Sequence, residues 1–101
     1  MREHLKFYIG GHWVSPAAPR TLDVIDPASG KPNGRISVGG PADVDAAVTA
    51  ARAAFPVWSQ TSREQRVAAL ERIADEFERR LDDMGVAIRE EMGAPQWLAR
   101  P

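Results

Sequence analysis

Few residues in this sequence could carry covalent or acid–base chemistry, and their spacing does not assemble a self-contained catalytic centre. Cysteine is absent. A thiolate nucleophile, a thiolate metal site and a disulfide scaffold are therefore excluded within the chain. The two histidines, His4 and His12, fall short of the ligand set of a zinc site. His4 reads as part of a frayed terminus and His12 as a solvated hairpin residue. The glycines of the first half fall as Gly10-Gly11, Gly30, Gly34 and Gly39-Gly40. None forms G-x-G-x-x-G or G-x-x-x-x-G-K-[ST], the loops that turn backbone N–H groups onto phosphates. Gly30-Lys31 is followed by Pro32, which offers no hydroxyl to magnesium. No G-x-S-x-G nucleophile turn occurs.

The carboxylates are more numerous but no better arranged. Glu71, Asp75, Glu78 and Asp82 follow one another at i+4, i+3 and i+4, which places them along one side of a helix. Arginines interleave with them, so they read as a solvated face. Glu90 and Glu91 are adjacent and would point about 100° apart on a helix, too far to share one substrate. Arg63, Arg66, Arg72, Arg79, Arg80 and Arg89 are mixed with acids, leaving no uniform basic stripe for nucleic acid. Thirteen Lys+Arg oppose fourteen Asp+Glu for a net charge of −1, so there is no long-range pull on DNA, RNA or anionic lipid. Trp13, Trp58 and Trp97 lie in different elements and read as packing anchors rather than a base-stacking platform. No apolar run is long enough to span a bilayer, and residues 1–6 are too polar to open a signal peptide. The expected compartment is the cytoplasm, with neither nucleic acid nor membrane as partner.

The elements that would hold these residues divide the chain in two. Residues 1–41 contain six of the eight glycines and five of the eight prolines, whereas residues 42–92 contain one of each. Gly and Pro punctuate turns and disfavour helix interiors, so a β-rich first half and a helical second half are predicted. Phe7-Tyr8-Ile9 and His12-Trp13-Val14 flank Gly10-Gly11, a hairpin signal. Thr21–Ile25 and Arg35–Val38 read as a strand pair around the turn Asp26-Pro27-Ala28-Ser29-Gly30. A first helix is predicted from Ala42 or Asp43 to Phe55, ended by Pro56. A second is predicted from Thr61-Ser62 through Met92, with Thr61/Glu64 and Ser62/Gln65 both fitting a capping box. Its apolar stripe is Val67, Leu70, Ile73, Phe77, Leu81, Met84, Ile88 and Met92. Glu76/Arg80 and Asp75/Arg79 are spaced to pair across one turn. Gly93-Ala94-Pro95 stops the helix, and residues 94–101 read as the start of a further element. The fold class is an α+β arrangement: a hairpin and a strand pair followed by two amphipathic helices.

The ordered set Tyr8-Ile9-Gly10-Gly11-His12-Trp13-Val14, Val24-Ile25-Asp26-Pro27-Ala28-Ser29-Gly30, Ala42-Asp43-Val44-Asp45-Ala46-Ala47-Val48 and Ala50-Ala51-Arg52-Ala53-Ala54-Phe55 with Trp58 resembles the opening of the NAD(P)-dependent aldehyde dehydrogenases. Arg66, Leu70, Ala74 and Glu90-Glu91-Met92-Gly93-Ala94-Pro95 continue the resemblance in order. Asp26 stands where that family usually has Asn, and Ala94 where it usually has Lys. The first difference preserves Asx-type turn capping. The resemblance implies that residues 1–101 are an N-terminal scaffolding segment: β-rich over 1–41, helical over 42–93. It places the family's catalytic cysteine, general-base glutamate, oxyanion-stabilising asparagine and cofactor glycine motif beyond residue 101. On that reading the chain has no catalytic and no cofactor-binding residues, would be inactive alone, and depends on NAD or NADP held elsewhere. Its partner would be the remainder of such an enzyme, or a second copy joined through an exposed apolar face. The resemblance also implies a possible monovalent cation site, formed by backbone oxygens of Val24 and Ile25 with the Glu91 carboxylate; hard oxygen donors suit such an ion. The alternative reading is a stand-alone helical-hairpin interaction module.

Overall fold

The computed structural model describes residues 1–99. Strands precede helices in chain order, and the polypeptide divides into two units, residues 1–25 with 32–59, and residues 26–31 with 60–99.

In the first unit, β1 (Arg2–His4), β5 (Pro32–Ser37) and β4 (Thr21–Ile25) form a sheet in the order β1-β5-β4. β4 and β5 run antiparallel, pairing Thr21 with Ser37 and Val24 with Gly34. Pro32 opens β5, where a missing N–H is tolerated. β5 therefore begins three residues before the predicted Arg35. β1 was not predicted. It pairs parallel with β5, Arg2 opposite Gly34 and His4 opposite Ile36, so His4 is a ladder residue rather than a frayed one. Its three residues are polar and exposed, so no alternation marked them as a strand. Ser37 Oγ donates to the Leu5 carbonyl at 2.7 Å and fixes the chain as it leaves β1.

β2 (Phe7–Ile9) and β3 (His12–Val14) form the predicted hairpin, with Phe7 opposite Val14 and Tyr8 opposite Trp13. Gly10 and Gly11 both take positive φ, +59° and +82°, the combination that a tight turn matching strand twist requires. Gly10 also approaches α1 closely: a Cβ there would stand 3.7 Å from the Ala50 Cβ.

α1 (Pro41–Ser59) starts with Pro at its first position, where φ is preset and no N–H is lost. It does not end at Phe55 as predicted. Pro56 lies in the last turn, so it forfeits a single ladder bond, and Ser59 Oγ donates back to the Pro56 carbonyl at 3.1 Å.

In the second unit, α2 (Arg63–Arg79) opens on Ser62. Gln65 N–H donates to Ser62 Oγ at 3.1 Å, and Ser62 N–H donates to Gln65 Oε1 at 2.8 Å. The reciprocal capping box is thus Ser62/Gln65 rather than Thr61/Glu64. The single helix predicted to Met92 is broken at Arg80 (φ −111°, ψ 15°), and α3 (Leu81–Met92) begins there. Asp82 and Asp83 occupy the first turn of α3, where carboxylates favour the positive end of a new helix. α3 ends on Gly93 at φ +72°, whose N–H donates to the Arg89 carbonyl at 3.0 Å. The short α4 (Gln96–Ala99) follows, so the predicted further element does begin; Arg100 and Pro101 lie outside the described residues.

Neither unit has an ordinary core. Among the described residues only Gly34 and Ala99 are buried. Phe55, Trp58, Val67 and Phe77 are exposed. Leu81 and Ile88 are half-buried.

Candidate functional site

The residues nominated for cation binding sit at two places. Val24 and Ile25 end β4, and Glu91 lies in the last turn of α3. β4 is an edge strand, so half of its carbonyls have no ladder partner. Val38 N–H donates to the Arg20 carbonyl at 2.9 Å, and Asp26 N–H donates to the Lys31 carbonyl at 2.9 Å. With the register of β4 on β5, these bonds put the even-numbered residues in hydrogen-bonded positions. The Ile25 carbonyl therefore faces the open edge. The Val24 carbonyl faces β5 and keeps its second lone pair for another partner. No group of three or more His, Asp or Glu side chains converges among the described residues.

The turn after β4 is strongly ordered by its own atoms. Asp26 Oδ1 accepts from Ala28 N–H at 2.9 Å and Oδ2 from Ser29 Oγ at 2.7 Å. The Asp26 carbonyl accepts from Gly30 N–H at 2.8 Å. The Ser29 hydroxyl, then the Ala28 N–H, hold the Asp26 carboxyl below the usual carboxylate range. The Pro27 ring lies against Gly93: a Cβ on Gly93 would come within 3.0 Å of Pro27 Cγ. The turn thus lies so close to the end of α3 that a side chain at residue 93 would require the Pro27 ring to shift by a few tenths of an ångström.

A second carboxylate organises the first unit. Asp43 Oδ2 accepts from Gly40 N–H and Oδ1 from Ala17 N–H, both at 2.9 Å. These two donors, Gly40 first, hold Asp43 below its ordinary pKa. The sequence placed Asp43 in the first turn of α1 for its dipole. It gave no sign of the bond to Ala17, because that partner lies 26 residues away.

The other titratable residues singled out in the sequence lie apart from these turns. His4 and His12 are exposed on strands. Glu71, Asp75, Glu78 and Asp82 are exposed on α2 and α3, as expected of a solvated face. Arg80 pairs with Glu76 at 2.6 Å as predicted. Arg79 also binds Glu76, at 2.7 Å, in place of the expected Asp75. The two arginines, Arg79 foremost, lower the Glu76 pKa to about 2. One concavity of the first unit, about 640 Å³, is lined by Tyr8, Ile9, Gly10, Gly11 and alanines of α1. It contains no charged group and has the character of a packing surface. The Tyr8 and Trp13 rings meet across the hairpin with centroids 5.1 Å apart and planes tilted by 54°.

These elements present ordered turns and strands with exposed apolar faces. Comparison with known proteins identifies the fold to which they belong. Residues 13–101 match the aldehyde dehydrogenase family. The chain belongs to that family. A 3-succinoylsemialdehyde-pyridine dehydrogenase from a Pseudomonas species is 50% identical over 95 residues, covering 94% of this chain and 20% of the relative. Among solved structures, an aldehyde dehydrogenase from Bartonella henselae superposes with a TM-score of 0.97 at 41% identity, over 99% of this chain and 21% of that one. Aldehyde dehydrogenase C from Pseudomonas syringae, solved as a variant complexed with NAD+ and octanal, gives a TM-score of 0.92 at 44% identity, over 94% of this chain and 20% of that one. The chain thus spans about a fifth of the length of these relatives and matches the N-terminal part of their fold.

Proposed function

We propose that this chain is the N-terminal scaffolding segment of an NAD(P)-dependent aldehyde dehydrogenase, an enzyme that oxidises an aldehyde to a carboxylic acid. The observation that carries the reading is a paired one. The chain reproduces a fifth of an aldehyde dehydrogenase with a TM-score of 0.97, yet buries only Gly34 and Ala99 among its described residues. A polypeptide of 44% apolar residues that leaves Phe55, Trp58, Leu70 and Phe77 exposed is shaped to be covered.

In this reading the reaction takes place on residues outside the chain. An aldehyde dehydrogenation of this type needs a thiolate nucleophile, a nicotinamide to accept hydride, and a base for hydrolysis. The absence of cysteine removes the first from residues 1–101, so the chain alone is inactive. NAD or NADP is bound by the remainder. The contribution of this segment is to support that remainder. Where the remainder is not supplied, the same apolar faces drive self-association. The compartment of the reading is the cytoplasm; no helix among the described residues is long and apolar enough to cross a membrane. A monovalent cation held by the Val24 and Ile25 carbonyls with Glu91 belongs to the same proposal. The open edge at Ile25 supports it.

The test is complementation. The chain is co-purified with a polypeptide that supplies the rest of the fold, such as the Pseudomonas relative lacking its matching segment. Aldehyde-dependent reduction of NAD+ or NADP+ is then followed. Activity that requires both polypeptides supports the reading; failure of the two to associate removes it.

A further inference from the structure

Asn33 is the only asparagine in the 101 residues, and a glycine follows it. Asparagine is a chemically labile residue, and a glycine after it removes the side chain that would crowd attack on its amide. In that reaction the Gly34 nitrogen bonds to Asn33 Cγ. The bond from Cγ to the side-chain nitrogen breaks, and that nitrogen leaves as ammonia with the Gly34 proton. The product is a cyclic imide, formed without oxidant or reductant. Water then opens the ring at either carbonyl. One opening gives aspartate on the original backbone. The other gives isoaspartate, whose main chain runs through Cβ and Cγ and is one atom longer.

The fold holds this dipeptide where ring closure is blocked. β5 is the middle strand of the β1-β5-β4 sheet. Gly34 is buried and Asn33 half-buried. Gly34 stands opposite Val24 in a hydrogen-bonded position, so its N–H is directed at the Val24 carbonyl and away from Asn33 Cγ. β1 closes the other side. A Cβ on Gly34 would stand 3.3 Å from the Arg2 carbonyl oxygen and 3.6 Å from Val24 Cβ. This close approach explains why a residue that weakens strands sits inside this one, and it is also what sets a glycine after Asn33. Next along the ladder Ile25 registers with Pro32. Asn33 is thus the extra residue of a bulge, where a ladder is locally interrupted.

We propose that Asn33 is a self-modifying site kept closed by the sheet: it converts to isoaspartate or aspartate only when β5 separates from β4 and β1, and isoaspartate then keeps the strand from regaining its register. Pairing depends on the even spacing of backbone donors and acceptors along a strand, which an added main-chain atom at position 33 offsets. The conversion is therefore a one-way record of sheet opening. The blocking contacts lie within the first unit and are made by the chain itself, so the inference rests neither on uncovered surface nor on the enzymatic assignment.

The test incubates the intact chain at mildly alkaline pH, which favours attack by the amide nitrogen, with and without urea. The peptide containing Asn33 is followed by mass spectrometry with fragmentation that separates aspartate from isoaspartate. Conversion is expected to be about tenfold or more slower without urea, because the sheet must open first. Val24→Pro weakens β4 without touching the dipeptide and should bring the rate without urea up toward that in urea. Gly11→Ala, in the separate hairpin, should leave it unchanged. The isolated isoaspartate form should show faster amide exchange in β4 and β5 than the aspartate form. Equal rates with and without urea, no conversion at Asn33 in urea, no acceleration in Val24→Pro, or undiminished exchange protection in the isoaspartate form overturns the proposal.

Discussion

The two units of this chain are held by different kinds of interaction. In the first, the fixing bonds join residues far apart in sequence: Ser37 to Leu5 across 32 positions, Ala17 to Asp43 across 26, and β1 to β5 along a parallel ladder. In the second, the side-chain bonds of α2 are local. Ser62, Gln65, Arg66, Glu76, Arg79 and Arg80 find partners within five positions. A distant lock in this unit is Pro27 on Gly93. Local helices can form from their own sequence, but a helix gains most of its stability from what covers its apolar face. The helices of the second unit are consequently written into the local sequence, whereas β1 and the Asp43 contact of the first unit depend on partners distant in the chain; both units leave apolar faces uncovered.

The largest effect should come from adding a side chain at the distant lock. Gly93→Val meets both a positive φ and Pro27, and is expected to destabilise the second unit by about 1–3 kcal/mol. Hydrogen exchange should accelerate in residues 26–31 as well as at the end of α3; unchanged protection of the turn would mean that the lock does not hold it. Gly11→Ala sharpens the point. It shares the positive φ but meets no neighbour, so its effect should stay near 1 kcal/mol and confine itself to the hairpin.

Next in size is the local cap. Ser62→Ala removes the capping box and should lower the stability of α2 by about 1 kcal/mol, read as lost helicity on thermal melting without change in the first unit. A loss of protection in β4 or β5 would break the distinction between local and distant interactions.

Smaller effects follow from titration. Asp43 has a lowered pKa when folded, so its contribution is complete above the ordinary carboxylate value and disappears as the pH falls through the folded value. The protection of the Ala17 amide, taken relative to its intrinsic exchange rate at each pH, should fall on acidification below about pH 4, and Asp43→Ala should abolish that dependence. The smallest change is expected for Glu76→Gln. Its contribution is lost between the ordinary value of 4.5 and about 2, but the pairs with Arg79 and Arg80 are exposed and screened. A slight, salt-sensitive loss of helicity is the outcome; a large one would show that the junction at Arg80 depends on this cluster.

What was legible in the sequence follows the same division. The hairpin, the β4–β5 pair and the helical faces are carried by turn chemistry and periodicity, and all were found. β1 was missed because Arg2-Glu3-His4 acquires its conformation only by pairing with β5. The helix through Pro56 was missed because a proline in a last turn forfeits a single bond. The break at Arg80 had a signal in Asp82-Asp83, outweighed by an apolar stripe that runs on across it. In the candidate site, the Asp26 turn could be read from Asp-Pro-Ala-Ser-Gly. The edge position of Ile25 and the seat of Pro27 on Gly93 depend on strand order and tertiary packing, which no local pattern encodes.

The central claim is that this chain is a support completed by polypeptide it does not itself contain. Its most direct test is aldehyde oxidation assayed with the chain alone, the complementary four-fifths of the Pseudomonas relative alone, and the two together, with exchange protection monitored at Leu70 and Phe77. The account predicts turnover only in the mixture, accompanied by new protection at both residues. Turnover by the chain alone, or an active mixture in which Leu70 and Phe77 stay as open as before, would contradict it.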